Sequence, residues 1–236
     1  LHGFAGNKDH WTFMSAEMPE QYWLIAHDMP GNGDNPQAPS VRYALPSPVP
    51  RLHDFLHARG IKRFHLVGNS LGGETAAFYA LMYPEDLKSV ALLDPAGIDK
   101  TLQRAHVIEK KEDFDKLIKD AFAHPPEIPP ILDDYFAEQA VASAPFSKKL
   151  LADAMSNDGD LPARVPSITV PALVVWGDKD KLIDPKAALE WRDKIPGHLV
   201  VMMPDTGHGP MVERPAETAE LLIVWWSTLE KPVTDR

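Results

Sequence analysis

The most constraining feature of this chain is a series of short, continuous apolar runs that alternate with helix-length amphipathic stretches. The runs are Tyr22–Ala26, Phe64–Val67, Val90–Leu93, Ala172–Trp176 and His198–Met203. Each has strand length and none alternates apolar with polar, which suits parallel strands buried on both faces. The intervening helical stretches are Arg51–Ala58, Glu74–Tyr83 (closed by Pro84), Ala187–Ile195 and Ala216–Leu229. Asp184-Pro185 reads as an N-cap with proline at the first helical position. Strands alternating with helices predict a doubly wound, mostly parallel α/β sheet.

One region breaks that rhythm. From Gly97 to Pro171 no good strand is found, but charged amphipathic helices are expected over Lys110–Phe122 and Leu132–Ala142, separated by the proline-rich stretch 124–130. Helical segments inserted between two strands predict a cap over the carboxyl edge of the sheet. The expected organisation is therefore core 1–96, helical cap 97–171 and core 172–236.

Composition narrows the chemistry. A chain of 236 residues fits one domain with an insertion, and a formal net charge of -10 disfavours a nucleic-acid or anionic-membrane surface. There is no cysteine, so thiolate catalysis, disulfides and cysteine-ligated zinc are excluded. No apolar run is long enough to span a bilayer. Cytoplasmic and secreted locations both stay open, as does the oligomeric state.

The chemistry-bearing motif is Gly68-Asn69-Ser70-Leu71-Gly72-Gly73, which follows the run Phe64–Val67 and opens the helix from Glu74. It fits G-x-S-x-G, a sharp strand-to-helix turn that lifts the serine hydroxyl clear of the sheet. The helix N-terminus behind it adds partial positive charge where an oxyanion would form. A serine nucleophile needs a base, since its hydroxyl is hardly ionised at neutral pH. Among ten histidines, His208 in Thr206-Gly207-His208-Gly209-Pro210 lies just past the last strand, with small neighbours that let the ring reach Ser70. His53, His57, His106 and His124 read as residues of surface or helix faces, and His2 as a turn-ordering residue.

The base needs an orienting carboxylate. Asp180 is chosen from the loop after Ala172–Trp176 because it lies further out than Asp178, which reads as a turn former; Asp94, ending the run Val90–Leu93, is a third option. An oxyanion hole needs two backbone N–H groups, expected from Leu71 and from Phe4 in the glycine-rich opening loop. Phe114, Phe122, Ile128 and Ile131 are expected to form an apolar substrate roof above Ser70. No cofactor or metal is called for. Gly31-Asn32-Gly33 lacks the helix a dinucleotide loop requires, His27-Asp28 has no supporting ligand cluster, and Trp225-Trp226 reads as core packing.

These segments, together with DMPGNGDN, LVVWGDKDKLIDP and PDTGHGPMVERPAETAELL, resemble the α/β-hydrolase superfamily over nearly the whole chain. Within it, LLDPAGI and the stretch from Glu112 to Ile131 are similar to bacterial esterases and lipases related to monoacylglycerol lipases. The resemblance implies an α/β-hydrolase fold and serine hydrolysis of a small-molecule ester or acylglycerol. A carbon–carbon bond hydrolase acting on a dienoate, and a non-catalytic binding protein, are the alternative readings on this fold. Ser70 stands where epoxide and haloalkane hydrolases of the superfamily carry aspartate. In the resembled fold a central strand precedes the His-Gly-Phe loop, between the strands matching Tyr22–Ala26 and Phe64–Val67. Since the sequence opens on Leu1-His2-Gly3, that strand is expected to come from a longer natural polypeptide.

Overall fold

In a computed structural model, which describes residues 1–38, 40–98, 107–156, 159–195, 197 and 199–230, the chain folds around a parallel sheet. A short helix α1 (Thr12–Ala16) and the helix α2 (Val49–Ala58) precede β1 (Phe64–Asn69). Then follow α3 (Leu71–Met82), β2 (Leu87–Leu93), α4 (Lys111–Ala121), α5 (Pro130–Ala142), α6 (Ala144–Met155) and α7 (Leu161–Arg164). The chain closes with β3 (Ala172–Gly177), α8 (Ala187–Lys194), β4 (Leu199–Met203), α9 (Pro210–Glu213) and α10 (Pro215–Leu229). The strand order is β1-β2-β3-β4 and every pairing is parallel. His106 and His198 lie outside the described residues.

Side-chain alternation along the strands explains why both faces must be covered. Val90 and Leu92 of β2, with Ala172, Val174 and Trp176 of β3, enter one core against α2, α3 and α8. Ala91, Leu93, Leu173 and Val175 point the other way, into a second core closed by Met14 of α1 and by Leu222, Trp225 and Trp226 of α10. The paired tryptophans are thus core residues, as expected. Each fully buried Val or Leu contributes about 1.5–3 kcal/mol relative to exposure, so the uninterrupted apolar run of a central strand stabilises two layers at once.

One expected strand is not formed. Tyr22–Ala26 is extended but belongs to no ladder, and Trp23, Leu24 and Ile25 are exposed. Apolar, β-branched composition makes a strand only where a neighbour accepts its backbone bonds, and no described strand lies beside this segment. The outer edge of β1 is met by Leu1, whose carbonyl accepts the Asn69 N–H at 3.0 Å. α8 begins at Ala187 as expected, but its N-cap is Lys186; Asp184 instead accepts the Lys186 N–H at 3.0 Å in the turn before it.

Between β2 and β3 the described residues are helical, with α6 and the short α7 following the two helices whose ranges the sequence suggested. Its own small core is built on Ile108, Phe114 and Ala137. Among the described residues no helix is long and apolar enough to cross a membrane.

Candidate active site

The turn after β1 is shaped by close backbone approach. Ser70 has φ 56° and ψ −120°, a conformation that costs a non-glycine residue about 1–3 kcal/mol and persists only where the surroundings enforce it. They do so here. The Ser70 N–H donates to the Leu93 carbonyl at 3.0 Å, and the Ser70 carbonyl accepts from the N–H groups of Glu74 and Ala96. A Cβ at Gly68 would strike the Gly72 backbone, and one at Gly72 would strike the carbonyls of Leu1 and His2. Glycine at these two positions is what lets strand, helix and opening loop pack this closely.

The opening loop runs past the nucleophile: a Cβ on Gly3 would sit 3.1 Å from the Ser70 Cβ. His2 orders that loop, with Nε2 accepting the Met29 N–H at 2.9 Å and Nδ1 meeting the Gly3 carbonyl at 2.8 Å. Burial holds its ring neutral, lowering the pKa to about 4. Among the described residues neither the Phe4 nor the Leu71 N–H donates to a protein acceptor. Leu71 directly follows Ser70, and Phe4 directly follows Gly3, whose built Cβ approaches the Ser70 Cβ.

His208 is buried beside this turn. Its Nδ1 lies 2.7 Å from Asp180 Oδ2, while Asp180 Oδ1 accepts the N–H groups of Leu182 and Ile183 at 2.8 and 3.0 Å. A carboxylate so held fixes the orientation of the imidazole through Nδ1. Asp178 has no part in this arrangement: its carboxylate pairs with Lys179 at 3.1 Å, on the exposed side of the turn. Two further groups tie the histidine down. The Asn69 side-chain amide donates to the carbonyls of Leu93 (3.2 Å) and His208 (2.9 Å), and the His208 N–H donates to the carbonyl of Ala121, the last residue of α4, at 2.7 Å. Asn69 was overlooked at the level of sequence, although it stands next to the nucleophile.

Asp94 also belongs to this cluster. It is fully buried, its Oδ1 accepts the Gly177 N–H at 2.8 Å, and its Oδ2 has no partner among the described residues. Donor atoms of Asp94, Asp180 and His208 all lie within 4.8 Å of one another. Burial, and then the charge of Asp180, push the Asp94 carboxyl well above the usual carboxylate range. Asp94 therefore favours its protonated form.

The expected roof residues are distributed unevenly. Phe122 packs on the His208 loop, its ring 3.3 Å from a Cβ built on Gly209. Phe114 is enclosed in the core between α4 and α5, Ile128 is half-buried in the proline-rich stretch, and Ile131 is 80% exposed. An apolar crevice that sequence reading missed opens beside Leu71, lined by Met29, Tyr43, Leu45, Thr75 and Leu150. Glu213 was missed as well. Its carboxylate accepts the N–H groups of Ala123, His124 and Gly207, knitting the helical insertion to the histidine loop.

Glu74, one turn after Ser70, is buried with Oε2 unpartnered among the described residues. Burial raises its pKa to about 7. A carboxyl whose folded pKa exceeds its unfolded value favours the native state below the unfolded pKa and loses that advantage as pH rises through the folded one. Between pH 4.5 and 7 stability should thus fall by about 3 kcal/mol on this account. Glu74→Gln is expected to shrink the drop in melting temperature between pH 5 and pH 9. Melting curves with the same drop in both proteins would show that Glu74 is not the group responsible.

A parallel α/β sheet, a strained serine at a strand-to-helix turn and a buried histidine–aspartate pair past later strands define a hydrolase of the α/β type. The alpha/beta hydrolase family model matches residues 1–221, and the chain belongs to that family. It is 35% identical to Lipase 1 of Psychrobacter immobilis over 98% of this chain and 76% of that protein. It is 28% identical to the monoacylglycerol lipase ABHD6 of Homo sapiens over 94% of this chain and 73% of that protein. The crystal structure of a membrane phospholipase A, a bacterial virulence factor, superposes with a TM-score of 0.93 at 34% identity, covering 98% of this chain and 78% of that one. The chain is a carboxylic-ester hydrolase of the esterase and lipase class.

Proposed function

We propose that the chain hydrolyses esters of acylglycerol type through an acyl-enzyme on Ser70, with His208 as general base and Asp180 as its orienting carboxylate. The observation that carries this reading is the buried 2.7 Å contact between His208 Nδ1 and Asp180 Oδ2 beside the strained Ser70. Nε2 takes the Ser70 proton as Oγ attacks the ester carbonyl, and the tetrahedral oxyanion rests on the N–H groups of Leu71 and Phe4. The imidazolium then protonates the departing alcohol. Water, deprotonated by the same nitrogen, attacks the acyl-enzyme, and collapse returns Ser70 and releases the acid. Every step uses groups of this chain.

The apolar crevice beside Leu71, whose lining includes Leu150 from α6, marks where the acyl chain would enter. With Phe122 against the histidine loop, this supports reading residues 97–171 as a cap that contributes to the substrate site. Phe114 would act from behind, holding α4 to α5; Ile128 and Ile131 would form the outer lip. Burial is worth about 0.8 kcal/mol per methylene, about a fourfold gain in kcat/KM for each carbon the crevice covers.

Assay on p-nitrophenyl esters of increasing chain length, beside a dienoate ring-cleavage product, tests the proposal. Ester turnover is expected to rise with chain length, with no turnover of the dienoate. Polar substitution at Phe122 should move the preference to shorter chains, with smaller shifts at Phe114, Ile128 and Ile131. An unchanged profile in all four variants would remove the cap from the substrate site, and turnover of the dienoate alone would make this a carbon–carbon bond hydrolase.

A further inference from the structure

A second convergence of histidine and carboxylate lies at the opposite edge of the sheet. Asp86 directly precedes β2, whereas Asp94 directly follows it. Seven strand residues at about 3.3 Å each separate the two by on the order of 20 Å. His53 and His57 are one turn apart on α2, on one helix face, and their rings stack with centroids 4.1 Å apart. Both direct Nε2 at the same carboxylate. His57 Nε2 lies 2.9 and 3.0 Å from the Asp86 oxygens, and His53 Nε2 lies 3.6 Å from Oδ2.

We infer that His53, His57 and Asp86 form a binding site for one divalent transition-metal ion of the zinc type, with water completing a four-coordinate shell. Bonds of about 2.0–2.2 Å in tetrahedral geometry set neighbouring donor atoms about 3.3–3.5 Å apart. The contacts of 2.9 to 3.6 Å bracket that spacing.

The surroundings match what such a site requires. A ligating histidine donates its other ring N–H to an acceptor, which fixes the tautomer and leaves the ligating nitrogen unprotonated. His53 Nδ1 meets Asp54 Oδ1 at 3.2 Å, and the ring is held flat against Tyr83 at 3.9 Å. The Tyr79 hydroxyl donates to Asp86 Oδ2 at 2.8 Å, which holds the carboxylate in place and leaves lone pairs on both oxygens. Asp86 is buried, and no lysine or arginine pairs with it among the described residues. The two histidines are partly open, at 21% and 35% of the side chain, which gives the ion a route in and water a fourth position.

Two imidazoles and one carboxylate suit zinc, nickel or cobalt; magnesium and calcium favour all-oxygen shells. Sequence reading took both histidines as residues of surface or helix faces; Asp86 is remote from them in the chain and is brought to them only by the fold. Far from Ser70, the ion would clamp α2 to the turn before β2 and stabilise the fold without taking part in the reaction.

The test is calorimetric titration of the chelator-treated protein with zinc chloride, beside melting curves. One equivalent should bind, and at 100-fold excess over the dissociation constant the melting temperature should rise by about 5–10 °C. Magnesium at the same concentration should change neither. His53→Gln and His57→Gln should each weaken binding at least about 10-fold and leave ester hydrolysis unchanged. Because Asp94, Asp180 and His208 also converge, the titration is repeated on His208→Ala, which should still bind one equivalent. No heat of binding, zinc binding retained in the His53→Gln/His57→Gln double variant, or binding lost only in His208→Ala would each overturn the inference.

Discussion

Ser70→Ala should lower ester hydrolysis by on the order of 10⁴-fold or more and abolish covalent labelling by a fluorophosphonate at the same time. The two readouts are linked because both depend on the same oxygen. Residual turnover in the variant would come from the Leu71 and Phe4 N–H groups and from binding alone, which still polarise a carbonyl toward water. The fold should tolerate the change. Ser70 makes its structural bonds through its backbone, to Leu93, Glu74 and Ala96, and alanine keeps all of them. Circular dichroism should be unchanged. A Ser70→Ala protein that still labels would move the nucleophile elsewhere and dissolve the assignment of His208 with it.

Asp180→Asn should lower kcat by roughly 10⁴-fold, the cost of presenting histidine with an amide that stabilises the wrong tautomer. Asp178→Asn should leave kcat within a few-fold, since that carboxylate faces Lys179 and not the base. Asp94→Asn is the sharper control. An asparagine of the same shape keeps the oxygen that accepts from Gly177 and, like a protonated carboxyl, places no charge beside Asp180. A small loss is therefore expected. A loss at Asp94 equal to that at Asp180 would instead mean that the two carboxylates share the work of holding His208.

The apolar runs that became β1 to β4 were legible because burial on both faces leaves a local mark: each position of β3, from Ala172 to Gly177, is buried. Tyr22–Ala26 carries a similar mark and forms no strand, because pairing is a property of two segments and composition belongs to one. The turn that holds Ser70 was legible for a related reason. Glycines at 68 and 72 are demanded by backbone contacts that any chain making this turn must avoid, so the turn writes itself into the sequence. The choice between Asp178 and Asp180 could be read from reach along the loop. The nearness of Asp94 could not, since it follows from the register that pairs Leu93 with Val175. Asn69 and Glu213 were invisible for the same cause. Each satisfies backbone groups of a distant loop, and an amide or carboxylate leaves no periodic trace when its partners are N–H and C=O.

The bond between the His208 N–H and the Ala121 carbonyl makes access and alignment a single variable. If α4 swung away, it would break the 2.7 Å bond and release the main chain of His208, the residue proposed as the base. Glu213 extends the restraint, since its one carboxylate holds N–H groups on both sides of that junction. On the proposed mechanism ester arrives without disturbing this corner, past α6 and the crevice it shares with Met29 and Leu45. The corner over His208 works as a fixed hinge pin, and freedom to admit a bulky acyl chain must be found on the side away from it.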